Sequence, residues 1–322
     1  MSLISGTYTR YDAKGLREDL EDAIYDISPE ETPFISSLSR KKAMQTLVEW
    51  QTDSLASAIT TNAVLEGDDA TFTTPSASVR VGNYTQILNK TCIVSGTLEE
   101  VDKAGRKSEM ALQIAKRGAE LKRDLEATVT NSIGGDAGGT GTARKMATLG
   151  AWIKTNDSLG TSGGSPAYTS GVPAAARTDG TQRTYTETIA KEVFSACYTA
   201  GANPKVMMVG PWNKAVVSGF SGVATRNYDL SNVSPKPTAA IGAIDVYVSN
   251  FSTVRIIPNR FQRDRDAWFL DFDMLALRPL RPMQTIPLAK TGDAEKRLLQ
   301  TEVTLQVKNE AGLGLAADLS TS

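Results

Sequence analysis

The chain of 322 residues is 40% hydrophobic and 22% charged, which excludes a wholly disordered chain and leaves enough apolar surface for a sizeable core. Its 35 basic and 36 acidic residues give a formal net charge of −1, unlike the basic chains typical of nucleic-acid binding. It contains no histidine and two cysteines, so histidine-dependent triads, two-histidine metal sites, four-cysteine zinc sites and disulfide frameworks are excluded.

The length also bears on the architecture. Single cores stop growing at about 250–300 residues, so we expect two lobes or one lobe with long excursions. Cys92 and Cys197 lie among apolar neighbours and are expected to be buried thiols in a reducing compartment. The first residues show no basic segment followed by an apolar one, and no apolar run approaches the about 18–20 residues of a membrane span. We therefore expect folding in the cytoplasm and no membrane partner.

The first 45 residues are predicted to form an arm of short helical pieces. Apolar residues recur there at helical spacing: Leu16, Leu20, Ala23, Ile24 and Ile27. Eight acids and two bases fall within residues 12–31. Ser28-Pro29-Glu30-Glu31 and Thr32-Pro33 are both typical of helix starts. The basic cluster Arg40-Lys41-Lys42 follows.

Residues 46–94 are predicted to form a long two-stranded β excursion. Apolar and polar residues alternate over 46–52, and β-type sequence returns over 79–94. The segment between them, 53–78, is rich in Ser, Thr and Ala and carries an acidic turn at Glu66–Asp69. Because an isolated hairpin is marginally stable in water, we expect contacts with a neighbouring subunit to stabilise this one.

A helix of about 50 Å is predicted over 98–133, since nearly all its apolar and small residues fall at i+3 or i+4 spacing. Seven acids and seven bases over 99–126 indicate a solvated helix face, which is compatible with charge pairing between subunits. The glycine-rich stretch Gly134–Gly141 ends this helix.

The middle of the chain is predicted to form a compact α/β unit. A Gly- and Ser-rich stretch at 155–183 is expected to be a surface loop. A helix then starts at Thr184–Glu187 and is stopped by Gly201, a short buried strand covers 205–210, and a second helix starts at Pro211. Residues 219–240 are loop-like.

The C-terminal third is predicted to be rich in strands. The expected strands are Ile244–Val248, Val254–Ile257, Ala267–Leu277 and Arg297–Val307. The last alternates apolar and polar residues, as a half-buried strand does. Arg278-Pro279 and Arg281-Pro282 are expected to be extended turns.

Two motifs that resemble catalytic or nucleotide-binding strings are rejected. Gly160-Thr161-Ser162-Gly163-Gly164 matches the nucleophile-elbow pattern, but it lies in a low-complexity loop of a chain without histidine. Gly134–Gly141 follows a helix and lacks the Gly-Lys-Ser/Thr end of a phosphate-binding loop. We therefore predict no catalytic residues, no cofactor-binding residues and no cofactor.

Acidic clusters raise the alternative of a cation site. Asp271 and Asp273 flank Phe272 on a predicted strand, near Asp264 and Asp266, and their oxygens suit Mg²⁺ or Ca²⁺. We favour ion pairing with nearby arginines: Arg263, Arg265, Arg278 and Arg281. The turn at Glu66, Asp68 and Asp69 is likewise expected to meet a basic patch and not a metal ion. Interleaved arginines and aspartates over 254–282 indicate ion-pair networks and not a nucleic-acid surface.

The order of these elements resembles the major capsid (head) protein of tailed bacteriophages, which has the Hong Kong 97-type capsid fold of the α+β class. The strings that carry the resemblance are Gly15–Leu20, Ile27–Phe34, Val94–Thr97 and Val101–Glu109. The resemblance implies five regions: an N-terminal arm at 1–45, an extended loop at 46–94, a peripheral domain at 95–149 with the spine helix 98–133, an axial domain at 150–250, and a β-rich return to the peripheral domain at 251–322.

The resemblance also implies a function and partners. The chain would assemble with copies of itself, as hexamers and pentamers, into the icosahedral head that encloses the DNA genome. It would be located in the virion and assembled in the host bacterial cytoplasm. A portal protein is an expected partner; separate scaffolding, protease and decoration proteins are further candidates, and packaged DNA is expected to bind only non-specifically. The alternatives are a non-viral compartment shell or a surface-binding module.

One departure from the wider fold concerns covalent cross-linking. Some members join subunits through an isopeptide bond from a lysine in the extended loop. Residues 51–79 contain no lysine. We therefore predict a shell without cross-links, which runs as a monomer on a denaturing gel.

Overall fold

The computed structural model describes residues 28–29, 31–69, 72, 74–103, 105–220 and 246–321. Its helices are α1 (Pro33–Ser37), α2 (Gly96–Glu100), α3 (Glu109–Val129), α4 (Leu149–Trp152), α5 (Glu187–Thr199) and α6 (Pro211–Ser218). Its strands are β1 (Ser39–Arg40), β2 (Leu47–Thr52), β3 (Val79–Tyr84), β4 (Gln86–Ser95), β5 (Asp157–Ser158), β6 (Ala167–Thr169), β7 (Val172–Ala175), β8 (Val206–Val209), β9 (Val246–Val248), β10 (Thr253–Pro258), β11 (Ala267–Leu270), β12 (Leu275–Pro287), β13 (Ala294–Val307) and β14 (Gly314–Ala316). The helix predicted over 16–27 and nearly all of the loop predicted at 219–240 lie outside the described residues.

The first sheet has the strand order β1-β12-β13-β4. β12, β13 and β4 are antiparallel, and β1 adds in parallel to β12. α3 packs on one face of this sheet, where Lys90 of β4 pairs with Asp124 of the helix at 2.8 Å. β13 was predicted to be half-buried, but it is buried on both faces from Thr301 to Val307. Its polar positions, including Glu302 and Thr304, therefore lie inside the protein and not in solvent.

The outer edge of β12 is irregular. β1 pairs with it only at Ala276 and Leu277, and the described part of the chain places no strand beside it after Pro279. Its pairing with β13 shifts register between Pro279 and Arg281 and again between Arg281 and Gln284. The extended turns predicted at the two Arg-Pro pairs are therefore irregularities within one long strand.

The second sheet has the strand order β5-β14-β11-β8-β10-β9. Both of its faces are covered, which explains why β8 and β11 are buried almost throughout. Met208 and Trp268 point into a core shared with the first sheet. Met207 and Phe269 point into a separate core against α5. This alternation is the two-residue period of a strand between two apolar layers.

The sheet membership bears on two predicted regions. The β-rich region predicted at 251–322 is divided between the sheets: β12 and β13 belong to the first, whereas β10, β11 and β14 belong to the second. β4 was assigned to the two-stranded excursion of 46–94, but it pairs with β13. The excursion therefore consists of β2, β3 and the residues between them; we call β2 and β3 the hairpin base and residues 53–78 the hairpin tip.

The helix predicted over 98–133 is wrong in extent. α2 stops at Glu100, and α3 starts at Glu109 with the side chain of Ser108 accepting from the backbone N–H of Ala111. Gly105, at a φ of +74°, lies between them in the left-handed region that favours glycine. α3 is thus about 32 Å long and not about 50 Å.

The stretch 155–183 is not simply a surface loop. It contains β5, β6 and β7, and β5 pairs in parallel with β14 as an edge of the second sheet. Arg177 within it is buried. The α/β unit itself is confirmed: α5, β8 and α6 follow one another, and α5 ends at Thr199 just before Gly201, whose φ is +85°.

Candidate assembly surfaces

The hairpin tip exposes large apolar side chains. Their exposed fractions are Leu55 99%, Ile59 71%, Val64 82%, Leu65 81% and Phe72 96%. The described residues of the tip form no helix or strand. Burial of apolar surface stabilises a protein by about 25 cal/mol per Å². The exposed side chains of the tip do not gain this stabilisation in a single subunit, as is typical of a contact surface.

The hairpin base, in contrast, is fixed to the body of the subunit. Asn83 is fully buried; its amide nitrogen donates to the carbonyls of Ala147 (2.8 Å) and Leu305 (2.7 Å), and its oxygen accepts from the N–H of Ala147 (2.7 Å). The rings of Trp50 and Trp152 lie 5.4 Å apart. The base therefore holds the tip at a defined place on the subunit.

A buried carboxylate lies where the hairpin joins the first sheet. Glu302 accepts from the hydroxyl of Thr85 at 2.7 Å, and it pairs with Arg281 at 2.8 Å and with Arg144. Burial acts to raise the pKa of this carboxyl, but the hydrogen bonds from Thr85 and Arg281 and the charges of the two arginines outweigh it. The pKa of Glu302 lies below its ordinary value, so the group is ionised at neutral pH.

The acidic turn of the tip is exposed. Gly67 adopts a φ of +86°, and the N–H of Asp68 donates to the carbonyl of Leu65 at 3.2 Å. Among the described residues no group of three or more Asp, Glu or Cys side chains is placed to hold a metal ion. Arg40, Lys41 and Lys42 are exposed beside the edge of the first sheet, and no ion pair of theirs occurs within the described ranges. The tip and this basic cluster thus present opposite charges.

The aspartates considered as cation ligands are dispersed. Asp271 and Asp273 lie at a 3₁₀ turn (Phe272–Met274) and not on a strand. The carboxylate of Asp271 accepts from the N–H of Asp273, and Asp273 pairs with Lys205 at 3.1 Å. The carbonyl of Asp264 accepts from Asn213 at 2.7 Å. The predicted pairing with an arginine is wrong for Asp273, whose partner is a lysine, and correct for Asp266, whose carboxylate lies 3.6 Å from the guanidinium of Arg263.

Asp266 belongs to a buried ionic cluster. Its carboxylate pairs with Arg177, whose guanidinium also lies 3.5 Å from Asp318. At the edge of the cluster Arg265 pairs with Asp318 at 2.7 Å, and Arg263 pairs with Asp179 at 2.6 Å. Burial raises the pKa of Asp266 to about 6 against the opposing charges of Arg177 and Arg263.

This cluster joins the stretch 155–183 to the C-terminal end of the described chain. Sequence reasoning missed Arg177 and Asp318, because the one lies in a low-complexity stretch and the other 141 positions later. Asp318 has a φ of +59°, a left-handed conformation that is uncommon outside glycine, but no local motif marks it. The available signal was that Arg177 is one of two basic residues in a Gly- and Ser-rich stretch.

The rejected nucleophile-elbow string has a structural role. The N–H of Gly160 donates to the carboxylate of Asp318 at 3.0 Å, and the N–H of Gly163 donates to the carbonyl of Gly160 at 2.9 Å. A Cβ on Gly160 would lie 2.3 Å from the carbonyl oxygen of Thr181, so this close approach needs glycine. The glycines therefore serve the packing around Asp318.

The two cysteines are buried, as predicted. Burial raises the pKa of the Cys197 thiol to about 12, so that thiol is not poised to react. No helix in the described ranges is both long and apolar enough to span a membrane.

Comparison with known proteins identifies the fold. The chain is 28% identical to the major capsid protein of Escherichia phage Phieco32 over 345 aligned positions, with 96% of each chain covered. Its structure is similar to the Cyanophage A-1(L) capsid asymmetric unit, with a TM-score of 0.62 at 13% identity, covering 94% of this chain and 97% of that one. The SrpI encapsulin of Synechococcus elongatus PCC 7942 gives a TM-score of 0.54 at 12% identity, covering 97% and 95%.

At such low identities the structural likenesses show the fold alone, and they confirm the predicted Hong Kong 97-type capsid fold of the α+β class. The family described as the SU10 major capsid protein matches residues 3–320. The prediction of a tailed-phage major capsid protein is therefore confirmed in preference to the compartment-shell alternative. Since the match spans nearly the whole sequence, the chain belongs to the SU10 major capsid protein family.

Proposed function

We propose that copies of this chain assemble as hexamers and pentamers into the icosahedral head that encloses the phage DNA genome, without covalent cross-links and without catalysis. The observation that carries the proposal is the hairpin tip, with five large apolar side chains exposed on a base that is itself locked into the core. Exposed apolar side chains of this kind are typical of a surface that a neighbouring chain covers.

The proposal assigns a role to each region. Residues 1–45 form the N-terminal arm, and the hairpin reaches over the adjacent subunit. The first sheet with α3 makes the peripheral domain, and the second sheet with α5 and α6 makes the axial domain that meets its copies around the hexamer and pentamer centres. The structural support is that each sheet packs its own helices while both share one core.

The partners follow from the same proposal. Assembly takes place in the host cytoplasm, and a portal protein occupies one vertex. Separate scaffolding, protease and decoration proteins are candidates for further partners. Packaged DNA contacts the inner surface only non-specifically, because the chain has a formal net charge of −1 and offers no strong overall attraction to phosphate.

Deletion of residues 55–78 tests the proposed function. The shortened subunit is expected to fold, because the base keeps its contacts, but to remain small when expressed with its scaffold. Sedimentation velocity and electron microscopy distinguish subunits and capsomers from closed shells. A deletion variant that still closes shells of normal size would contradict the role of the tip.

The contents of the full-length particle separate a phage head from a compartment shell. Particles assembled in infected cells are expected to contain double-stranded DNA and to run as a monomer band after denaturation. Protein cargo in place of DNA would favour the compartment alternative. A ladder of covalent multimers would contradict the absence of cross-links.

A further inference from the structure

A buried glutamate of α3 lies at the meeting point of three distant segments. Glu126 is fully buried, and its carboxylate receives three hydrogen bonds. Oε1 accepts from the N–H of Phe34 at 2.8 Å and from the side-chain amide of Asn259 at 2.7 Å. Oε2 accepts from the N–H of Ile35 at 2.8 Å. No salt bridge to Glu126 occurs within the described ranges, so neutral donors alone stabilise its charge there.

The two backbone donors belong to the first turn of α1. Pro33 occupies the first helical position and has no N–H, so Phe34 and Ile35 carry the N–H groups that a helix start leaves without partners. Such groups are usually satisfied by the residue before the helix, but the side chain of Thr32 makes no capping hydrogen bond. Glu126 therefore acts as the cap from 91 and 92 positions away.

The third donor ties this cap to the second sheet. Asn259 is buried just after β10; its N–H donates to the carbonyl of Val209 at the end of β8, and its side-chain oxygen accepts from the N–H of Phe261. Phe34 and Asn259 thus donate to the same oxygen of one carboxylate. A displacement of either changes the environment of the charge that the other binds.

The energetic consequence is a coupling. Burial raises the pKa of Glu126 and the three hydrogen bonds act against it, so the buried charge depends on those donors. If the two N–H donors of α1 were lost, the buried carboxylate would keep one hydrogen bond, from Asn259. Its charge would then be poorly stabilised, which favours rearrangement or hydration of the side chain. Linkage requires the effect to be reciprocal, so disturbing Asn259 must weaken the docking of α1.

We propose that the Glu126 carboxylate is a joint that couples docking of the arm segment Thr32–Leu38 to the position of the connection 259–262, so that release of one loosens the other. The arm segment leads directly into the basic cluster at 40–42, and the connection lies between β10 and β11, two strands of the second sheet. The joint therefore transmits the state of the arm to the lobe that carries α5 and α6. The inference concerns a single subunit and does not depend on the proposed shell.

Hydrogen exchange on the full-length subunit tests the joint. In Glu126→Gln the side-chain amide faces the N–H of Ile35, donor against donor. We expect exchange to rise about tenfold at Phe34 and Ile35 and also to rise over 259–262. Glu120→Gln is the matched control, because Glu120 lies on the same helix but pairs at the surface with Arg117 at 2.7 Å. Unchanged exchange in Glu126→Gln, either at Phe34 and Ile35 or over 259–262, would overturn the proposal.

A rescue variant separates a joint from a simple cap. Thr32→Asp, added to Glu126→Gln, supplies a local cap and is expected to restore protection at Phe34 and Ile35 but not over 259–262. Restoration of both regions would show that packing of α1, and not the carboxylate, carries the coupling. If Glu126→Gln does not fold, Asn259→Ser in the wild-type background decides: faster exchange at Phe34 and Ile35 supports the joint, and unchanged exchange overturns it.

Discussion

The base and the tip of the hairpin differ in how their side chains are satisfied. In the base, Asn83 fills its hydrogen bonds inside the subunit and Trp50 packs on Trp152. In the tip, Leu55 and Phe72 are almost fully exposed. The base is thus completed by its own chain, whereas the tip has apolar surface that its own chain does not cover. The difference teaches that stability of the subunit and competence for assembly reside in different residues of one hairpin.

The largest expected effect on the subunit comes from Trp152→Ala. Trp152 is 1% exposed and lies against the rings of Trp50 and Tyr168, so its removal leaves a cavity beneath the base. We expect a loss of about 3–5 kcal/mol in the free energy of unfolding, measured by chemical denaturation of unassembled subunits. Trp212→Ala, at a half-exposed tryptophan of α6, should cost far less. Equal losses would contradict the description of the base.

Asn83→Ala should have the next largest effect. It removes three hydrogen bonds and leaves the N–H of Ala147 and the carbonyl of Leu305 buried without that partner. We expect a loss of about 2–3 kcal/mol in the free energy of unfolding. The control is Asn89→Ala on the exposed face of β4. A stability matching the control would show that the base is not fixed through Asn83.

Glu302→Gln is expected to change the pH dependence of stability. The pKa of Glu302 is lower in the folded subunit than its ordinary value, so its stabilisation is present above the unfolded value of about 4.3 and is lost as the pH falls through the folded value. The variant should therefore be less stable at neutral pH and should lose less stability on acidification. Denaturation curves at pH 7 and below pH 4 measure this, with Glu295→Gln as control. An unchanged pH profile would contradict the assigned ionisation.

The smallest effect on the subunit is expected from Leu55→Ser with Phe72→Ser. Both side chains are exposed, so the free energy of unfolding should change by at most about 0.5 kcal/mol. The yield of closed shells should nevertheless fall sharply in sedimentation. Ser57→Ala with Thr74→Ala is the control in the same tip. A normal yield of closed shells from the double serine variant would contradict the role of the tip side chains in assembly.

Local patterns predicted individual elements better than their partners. The stop of α5 before Gly201 follows from a residue close in sequence. The capping box Thr184–Glu187 is wrong in detail, because the N-cap is Thr186, whose side chain accepts from the N–H of Ile189. The division of 98–133 into α2 and α3 was missed, because apolar spacing alone does not distinguish one helix from two short segments. The side chain of Glu99 accepts from the N–H of Glu109, so an acid of the first segment helps to begin the second.

Sheet membership and buried charges depend on contacts between distant residues. β10 and β11 carry strand patterns, but nothing in those patterns specifies the second sheet, and β14 was not predicted as a strand. The pairing of Arg177 with Asp266 and Asp318 spans 89 and 141 positions. The exposure of the apolar side chains in the tip could be anticipated, because 53–78 has too few large apolar residues to form a core that would bury them. The Hong Kong 97-type fold was predicted from the family resemblance, because the periodicity of apolar residues predicts helices and strands but not how they are arranged.

The irregular outer edge of β12 bears on what happens to subunits before they meet their proper neighbours. An unpaired strand edge is a template onto which another strand can add. Pro282 and Pro287 offer no N–H there, and the two register shifts bend the strand away from a flat ladder. These features disfavour the addition of another strand at this edge, whereas the apolar side chains of the hairpin tip stay exposed for contact with a neighbour.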